Sequence, residues 1–349
     1  MPKSPLEYNH KNIKIDGLNF HYVDEGPSDG ELIILVHGWP ELWISYKNQI
    51  DYLSAKGYRV IASDLIGIGG SEGPKVTDIK NLEAKGLNKY TFKSNCEALK
   101  YLVREELKRD QAIFIGHDWG SMVVWRMAKY FPDVVKALGS LCIHYEPPFD
   151  GYLDLDTMIE FIPAMEYQRD IAYKNFESEC NNNKELFFDT MYQYNGWKEG
   201  VPDDIRDTGE GHLRLIDLKS IHEMVKQIKV YKPSFTPEEF KYLCDQYTPT
   251  VIANSCNYYR THYLNFQDER VLMESHVIDQ PVLMVHATKD ITNTFYEDLA
   301  KEPGTKEFCT NLTLKTIDGD HWIQLNKSDE VNQVIGDWLA GLKAGKSKL

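Results

Sequence analysis

The stretch Ala112-Ile113-Phe114-Ile115-Gly116-His117-Asp118-Trp119-Gly120-Ser121-Met122-Val123-Val124-Trp125-Arg126-Met127-Ala128 decides the fold. Ala112 to Ile115 is a continuous apolar run, as expected for a strand covered on both faces. Met122 to Ala128 reads as a helix. The turn between them, Gly116-His117-Asp118-Trp119-Gly120, sets a reactive side chain between two glycines. Glycine lets the backbone bend sharply and lets a helix pack close to the strand it leaves. A strand, a small-x-nucleophile-x-small turn and a helix make the elbow that exposes a nucleophile at the top of a sheet.

The rest of the chain supplies that sheet. Ile13-Lys14-Ile15-Asp16-Gly17-Leu18-Asn19-Phe20 predicts a hairpin with Asp-Gly at the turn. Leu32–Val36, Arg59–Ser63, Ala137–Ile143, Val282–Val285 and Leu312–Ile317 are further strand-like runs. Helical patterns lie between several of them. In the clearest, Val331, Val334, Ile335, Trp338, Leu339 and Leu342 recur at about 3.6-residue spacing. This alternation predicts an α/β fold, a mainly parallel sheet flanked by helices. With the elbow it is the layout of the α/β-hydrolase fold. The alternation stops near Pro147-Pro148 and resumes near Gln280-Pro281. The predicted division is a core over residues 1–146 and 277–349, with an inserted helical cap (lid) over 147–276. Pro74 to Lys89 reads as a polar loop.

Aspartate at the centre of the elbow sets the chemistry. Serine attacking a saturated carbon would leave an ether that nothing here can cleave. A carboxylate leaves an alkyl ester, which water can hydrolyse. Asp118 therefore implies displacement at carbon, on an epoxide or an alkyl halide. A nucleophile of this kind needs a base and a group to orient the base, in chain order nucleophile, acid, histidine. Asp290 closes the fifth long run and His321 follows the sixth. All three sit at carboxyl ends of predicted strands, where sites form in open α/β sheets. Asp290 alone would read as a helix cap near Thr294. Asp318 and Asp320 flank His321 on its own loop and read as turn residues. His37-Gly38-Trp39-Pro40 follows the first long strand, so backbone N–H groups of Trp39 and Trp119 are the expected oxyanion hole. Gly69-Gly70-Ser71-Glu72-Gly73 formally offers a serine elbow, but it runs into Pro74 with no helix behind it.

Bulk properties narrow the partners. The 349 residues are 42% hydrophobic and 26% charged, ordinary for a soluble enzyme with a large core. A net charge of −14 argues against nucleic acid and anionic membrane surfaces. No apolar run approaches the roughly 18 residues that span a bilayer. Met1 to Glu7 lacks an apolar signal core, so no secretory leader is expected. The six cysteines (Cys96, Cys142, Cys180, Cys244, Cys256, Cys309) lack CxxC spacing and predict free thiols in a reducing compartment. The sequons at Asn311 and Asn326 then carry no weight. No metal or cofactor is expected.

These residues resemble the soluble epoxide hydrolases of the α/β-hydrolase fold over nearly the whole chain. His37-Gly38-Trp39-Pro40 is similar to the family's HGxP segment. Phe114 to Gly120 is similar to its nucleophile motif, and Gly319-Asp320-His321-Trp322 to its histidine motif. The resemblance implies two lid tyrosines that hold and protonate the epoxide oxygen. Tyr167, followed by Gln168, matches the first, and Tyr259, before Arg260, matches the second. Trp39, Trp119 and Gln168 are implied as substrate-binding residues. Trp39, Ser121 and Tyr258 stand where Phe, Gly and Trp are common, which bears on substrate shape. Lid aromatics such as Phe161, Phe187, Phe188 and Trp197 suggest an apolar substrate, or equally a lid core. An alkoxide leaving group needs a proton donor, and tyrosine stays protonated at neutral pH. A halide needs N–H donors, which the indoles of Trp39 and Trp119 offer. A haloalkane or haloacid dehalogenase therefore stays open as an alternative, as does a silent ligand receptor. Ser347-Lys348-Leu349 matches the tripeptide read by the peroxisomal import receptor, so peroxisomal residence, with or without a cytosolic pool, is expected.

Overall fold

In a computed structural model the apolar runs form one eight-stranded sheet, ordered β1-β2-β4-β3-β5-β6-β7-β8. The structure describes residues 3–173, 176–193, 234–290, 292–293 and 304–345. The strands are β1 (His10–Ile15), β2 (Leu18–Glu25), β3 (Leu32–Val36), β4 (Arg59–Ser63), β5 (Ala112–His117), β6 (Val135–Leu141), β7 (Val282–Ala287) and β8 (Leu312–Ile317). β1 and β2 form the expected hairpin, and Asp16 and Gly17 at its tip both take positive φ. β2 pairs antiparallel with β4, and every pairing from β4 through β8 is parallel. This is the α/β-hydrolase fold, with helices on the sheet's faces.

The central strands are buried because both faces are covered. All residues of β3 and β5 are buried, which accounts for their unbroken apolar sequence. Two edges differ from the sequence reading. β5 continues through Gly116 and His117. β6 starts two residues earlier than expected, where Val135 pairs with Ala112, and ends two residues earlier, because Cys142 takes φ 73° and stops the pleat. Gly69 to Gly73 makes no elbow. Ser71 is buried, donates to the Asp64 carbonyl at 2.8 Å and accepts the His21 amide at 2.9 Å.

Between β6 and β7 the described residues include the helices Leu155–Phe161, Glu166–Tyr173, Phe176–Asn182, Lys184–Gln193, Pro237–Gln246, Pro249–Ser255 and His262–Glu269. Local sequence starts several of them. Thr236 caps Pro237–Gln246 in a capping box with Glu239, and Thr248 caps Pro249–Ser255. This helical cap is fastened to the core by polar contacts. Arg126, on the helix behind the elbow, makes a two-pronged contact with Glu269 at 2.8 and 3.1 Å. The Trp322 indole donates to the Met191 carbonyl at 2.8 Å, and the Trp43 indole to Tyr242 at 3.1 Å. No helix among the described residues is long and apolar enough to cross a membrane. All six cysteines are buried free thiols. Trp197 and Ser347-Lys348-Leu349 lie outside the described residues.

Candidate active site

The elbow forms where the sequence put it. Asp118 lies between β5 and the helix Trp119–Tyr130 at φ 50°, ψ −123°. A non-glycine residue holds such a conformation only where the surroundings over-determine it. The flanking glycines do so. A Cβ on Gly120 would lie 2.0 Å from the Val36 carbonyl oxygen, and one on Gly116 2.3 Å from the Gly120 oxygen. Gly38 is needed for the same reason, since its Cβ would meet Asp118 Cβ at 2.4 Å.

Three predicted residues converge there. Both oxygens of Asp290 accept from His321 Nδ1 at 2.9 Å, and Oδ1 also accepts the Thr292 amide and hydroxyl at 2.8 Å each. His321 Nε2 faces Asp118 Oδ2 at 3.6 Å. Burial works against charge on Asp290, but the His321 cation and these donors outweigh it and hold its carboxyl below the usual carboxylate range. Burial likewise works against the His321 cation, yet Asp290 and Asp118 outweigh it and hold its pKa well above the usual range. The imidazole thus sits between two carboxyl groups that favour its protonated form. Asp290 binds Thr292, two residues on, as an Asx turn does; Thr294 lies outside the described residues. Asp320 accepts from the Trp322 amide, and Asp318 from Thr288, as turn residues would.

The Trp39 amide donates to Asp118 Oδ1 at 2.8 Å. Trp119 opens its helix, so its amide has no acceptor within that helix. Tyr167 and Tyr259 meet edge to face, centroids 6.0 Å apart. Gln168 Nε2 donates to the Tyr167 hydroxyl at 3.3 Å. The Tyr259 ring packs edge-on against Trp39 and Trp119 at 5.2 and 5.1 Å. Burial, then the Asp118 charge, pushes the Tyr167 phenol up. Burial, then Tyr167 and Asp118, does the same to Tyr259. Tyr258, next in the chain, instead donates to the Ile66 carbonyl at 2.8 Å, so the tyrosine preceding Arg260 is the one that faces the site. Arg260 bridges the two tyrosine-bearing segments by donating to the Ala172 carbonyl at 2.7 Å and to Asn257 Oδ1 at 2.8 Å.

Sequence reading missed the polar layer beneath. Glu41 is fully buried, accepts the Gly38 amide at 2.9 Å and Gln324 at 3.0 Å, and pairs with His117. His117 Nε2 donates to the His321 carbonyl at 2.7 Å. This layer ties the Trp39 loop, the elbow and the histidine loop together. Its signal in the sequence was a lone glutamate inside the apolar run Trp39-Pro40-Glu41-Leu42-Trp43. His117, Cys142 and His321 form a cluster of possible metal donors. The two histidines already make the hydrogen bonds described, and the Cys142 thiol donates to the His321 carbonyl at 3.3 Å.

Fold and site together give an α/β-hydrolase fold with an aspartate at the tip of its elbow. A family model described as alpha/beta hydrolase fold matches residues 31–186. Within that class the chain resembles epoxide hydrolases along almost its entire length. It is 23% identical to the epoxide hydrolase srdG of Neurospora crassa over 97% of both chains. It is 29% identical to the bifunctional epoxide hydrolase 2 of Rattus norvegicus, covering 97% of this chain and 57% of that one. The crystal structure of epoxide hydrolase A from Mycobacterium thermoresistibile superposes with a TM-score of 0.78 at 22% identity, covering 96% and 98% of the chains. The chain has the α/β-hydrolase fold, and the relatives it matches along nearly its whole length are epoxide hydrolases.

Proposed function

We propose that the protein converts an apolar epoxide to a vicinal diol through an ester on Asp118. The observation that carries this reading is the convergence of Asp118, held by the Trp39 amide at 2.8 Å, with Tyr259, packed on Trp39 and Trp119, and Tyr167, packed on Tyr259. Asp118 attacks an oxirane carbon while Tyr167 and Tyr259 hold the oxygen and one of them protonates it. As the carboxylate becomes an ester, its negative charge disappears. One force raising both phenol pKa values goes with it, so each is a better acid at the moment the alkoxide forms. The same loss acts on His321. With Asp118 neutral, the imidazolium keeps only Asp290 as counter-charge and releases its proton more easily. That proton balances the one given up by the tyrosine. Neutral His321, oriented by Asp290, then deprotonates the water that attacks the ester carbonyl. The Trp39 and Trp119 amides receive the oxyanion that develops on Asp118. Collapse of the tetrahedral intermediate breaks the ester C–O bond, the second proton of the water passes to the departing alkoxide to give the diol, and the proton held by His321 restores the resting imidazolium.

The dehalogenase reading uses the same nucleophile but needs free N–H donors for halide. Trp39 Nε1 has no partner among the described residues and could meet that need, but a halide gives no role to the paired phenols of Tyr167 and Tyr259. The arrangement therefore favours the epoxide. A panel of terminal epoxides and alkyl halides tests it: diol should form far faster than halide is released. Faster halide release would select the dehalogenase, and no turnover of either a silent receptor. Peroxisomal residence is a separate proposal that rests on Ser347-Lys348-Leu349, and lipid epoxides are the substrate class it suggests. Imaging an N-terminally tagged chain with and without Leu349 tests it; identical cytosolic distributions would overturn it.

A further inference from the structure

We infer that two cap tyrosines outside the reacting site, Tyr192 and Tyr247, position the oxyanion donor and thereby act on ester hydrolysis and not on ester formation. This rests on the two-step reading above. The Tyr192 hydroxyl donates to the Pro40 carbonyl at 2.8 Å, and the Tyr247 hydroxyl donates to the Glu41 carbonyl at 3.0 Å. These are successive carbonyls of the loop whose Trp39 amide donates to Asp118 Oδ1. Both tyrosines are buried, at 2% and 1% exposure, and both rings pack on Phe188. Neither belongs to the elbow, the acid–histidine pair or the proton-donating pair. Each fixes the outer side of a loop whose inner side holds the nucleophile. The Trp39 ring adds to this grip by packing on Phe176 and Phe187 of the cap.

The two half-reactions differ in their dependence on this grip. In the resting enzyme Asp118 Oδ1 carries negative charge, which the Trp39 amide stabilises. Attack on the epoxide removes that charge, so the amide does not assist ester formation. Hydrolysis returns a full negative charge to the same oxygen, so a well-placed amide lowers that barrier alone. Removal of a whole oxyanion donor typically costs a factor of about 10² to 10³. Loosening a donor that stays attached costs less, on the order of tenfold.

The test is a pre-steady-state comparison of the native enzyme with Tyr192→Phe, Tyr247→Phe and the double variant on one terminal epoxide. When ester breakdown limits turnover, kcat and KM both contain its rate constant and kcat/KM does not. The double variant should lose about tenfold in kcat and in KM, keep kcat/KM within about twofold, and accumulate Asp118 ester. Cap loosening of a merely structural kind would also disturb Tyr167 and Tyr259 and so lower kcat/KM. A fall in kcat/KM matching that in kcat, or unchanged ester breakdown, overturns the inference. If the double variant does not fold, the single variants read the same split. Absence of any ester in the native enzyme would refute the two-step reading instead.

Discussion

Replacing Glu41 by glutamine should expose how strongly the buried polar layer holds the site. Glu41 has no exposed surface and accepts from the Gly38 amide and Gln324 while pairing with His117. Burial alone would raise its pKa. His117 and the hydrogen bonds outweigh burial and take it from 4.5 to about 2. A carboxyl whose pKa is depressed by folding stabilises the fold above its unfolded pKa, and the gain is lost as pH falls through the folded value. At about 1.36 kcal/mol per pH unit, the gap corresponds to about 3 kcal/mol at neutral pH. Glu41→Gln keeps the volume and removes the charge, so it should lose roughly that amount, since a buried pair missing one partner is strongly destabilised. Urea denaturation of both proteins across a pH series is the assay. Their difference should be about 3 kcal/mol at neutral pH and should shrink as pH drops from 4.5 toward 2. Subtraction cancels the other carboxyls. A difference independent of pH, or under about 1 kcal/mol at neutral pH, would refute the reasoning.

Gly120→Ala should cost about 3 kcal/mol or more, because its methyl group would sit against backbone oxygen at Val36; a melting temperature near the native one would show that the elbow relaxes. In Asp118→Asn the His321 pKa, followed by imidazole NMR, should fall, since one of its two counter-charges is gone; no change would contradict the proposed switching of the base. Tyr167→Phe and Tyr259→Phe should each slow ester formation, and together nearly abolish it while Asp290 and His321 stay intact; near-normal epoxide turnover in the double variant would mean the proton comes from elsewhere.

The central strands were legible because they are buried on both faces, which leaves unbroken apolar runs in β3 and β5. Leu32–Val36 and Leu312–Ile317 appear in the structure with the bounds their apolar runs suggest. β6 was misplaced because Ile143 continues the apolar pattern while Cys142 has already left the strand at positive φ, a backbone property that hydropathy does not carry. Asp118, Asp290 and His321 were readable because each follows a strand in the required order. The Glu41, His117 and Gln324 layer was not, because its members lie 76 and 207 positions apart along the chain. Their contact arises only when three loops meet over the sheet. Tyr192 and Tyr247 were hidden for a related reason. Among 21 tyrosines, nothing local marks the two that reach back to the Pro40 and Glu41 carbonyls.

The account turns on a covalent ester at Asp118, and one single-turnover experiment in heavy-oxygen water addresses it. With enzyme in excess over a terminal epoxide, water attacks the ester carbonyl, so the label should enter the Asp118 carboxylate and the first diol released should be unlabelled. Mass analysis of the peptide carrying Asp118 reads the first quantity, and mass analysis of the diol the second. Label appearing at once in the diol, with Asp118 unlabelled, would mean that water attacks the epoxide directly and that Asp118 is not the nucleophile.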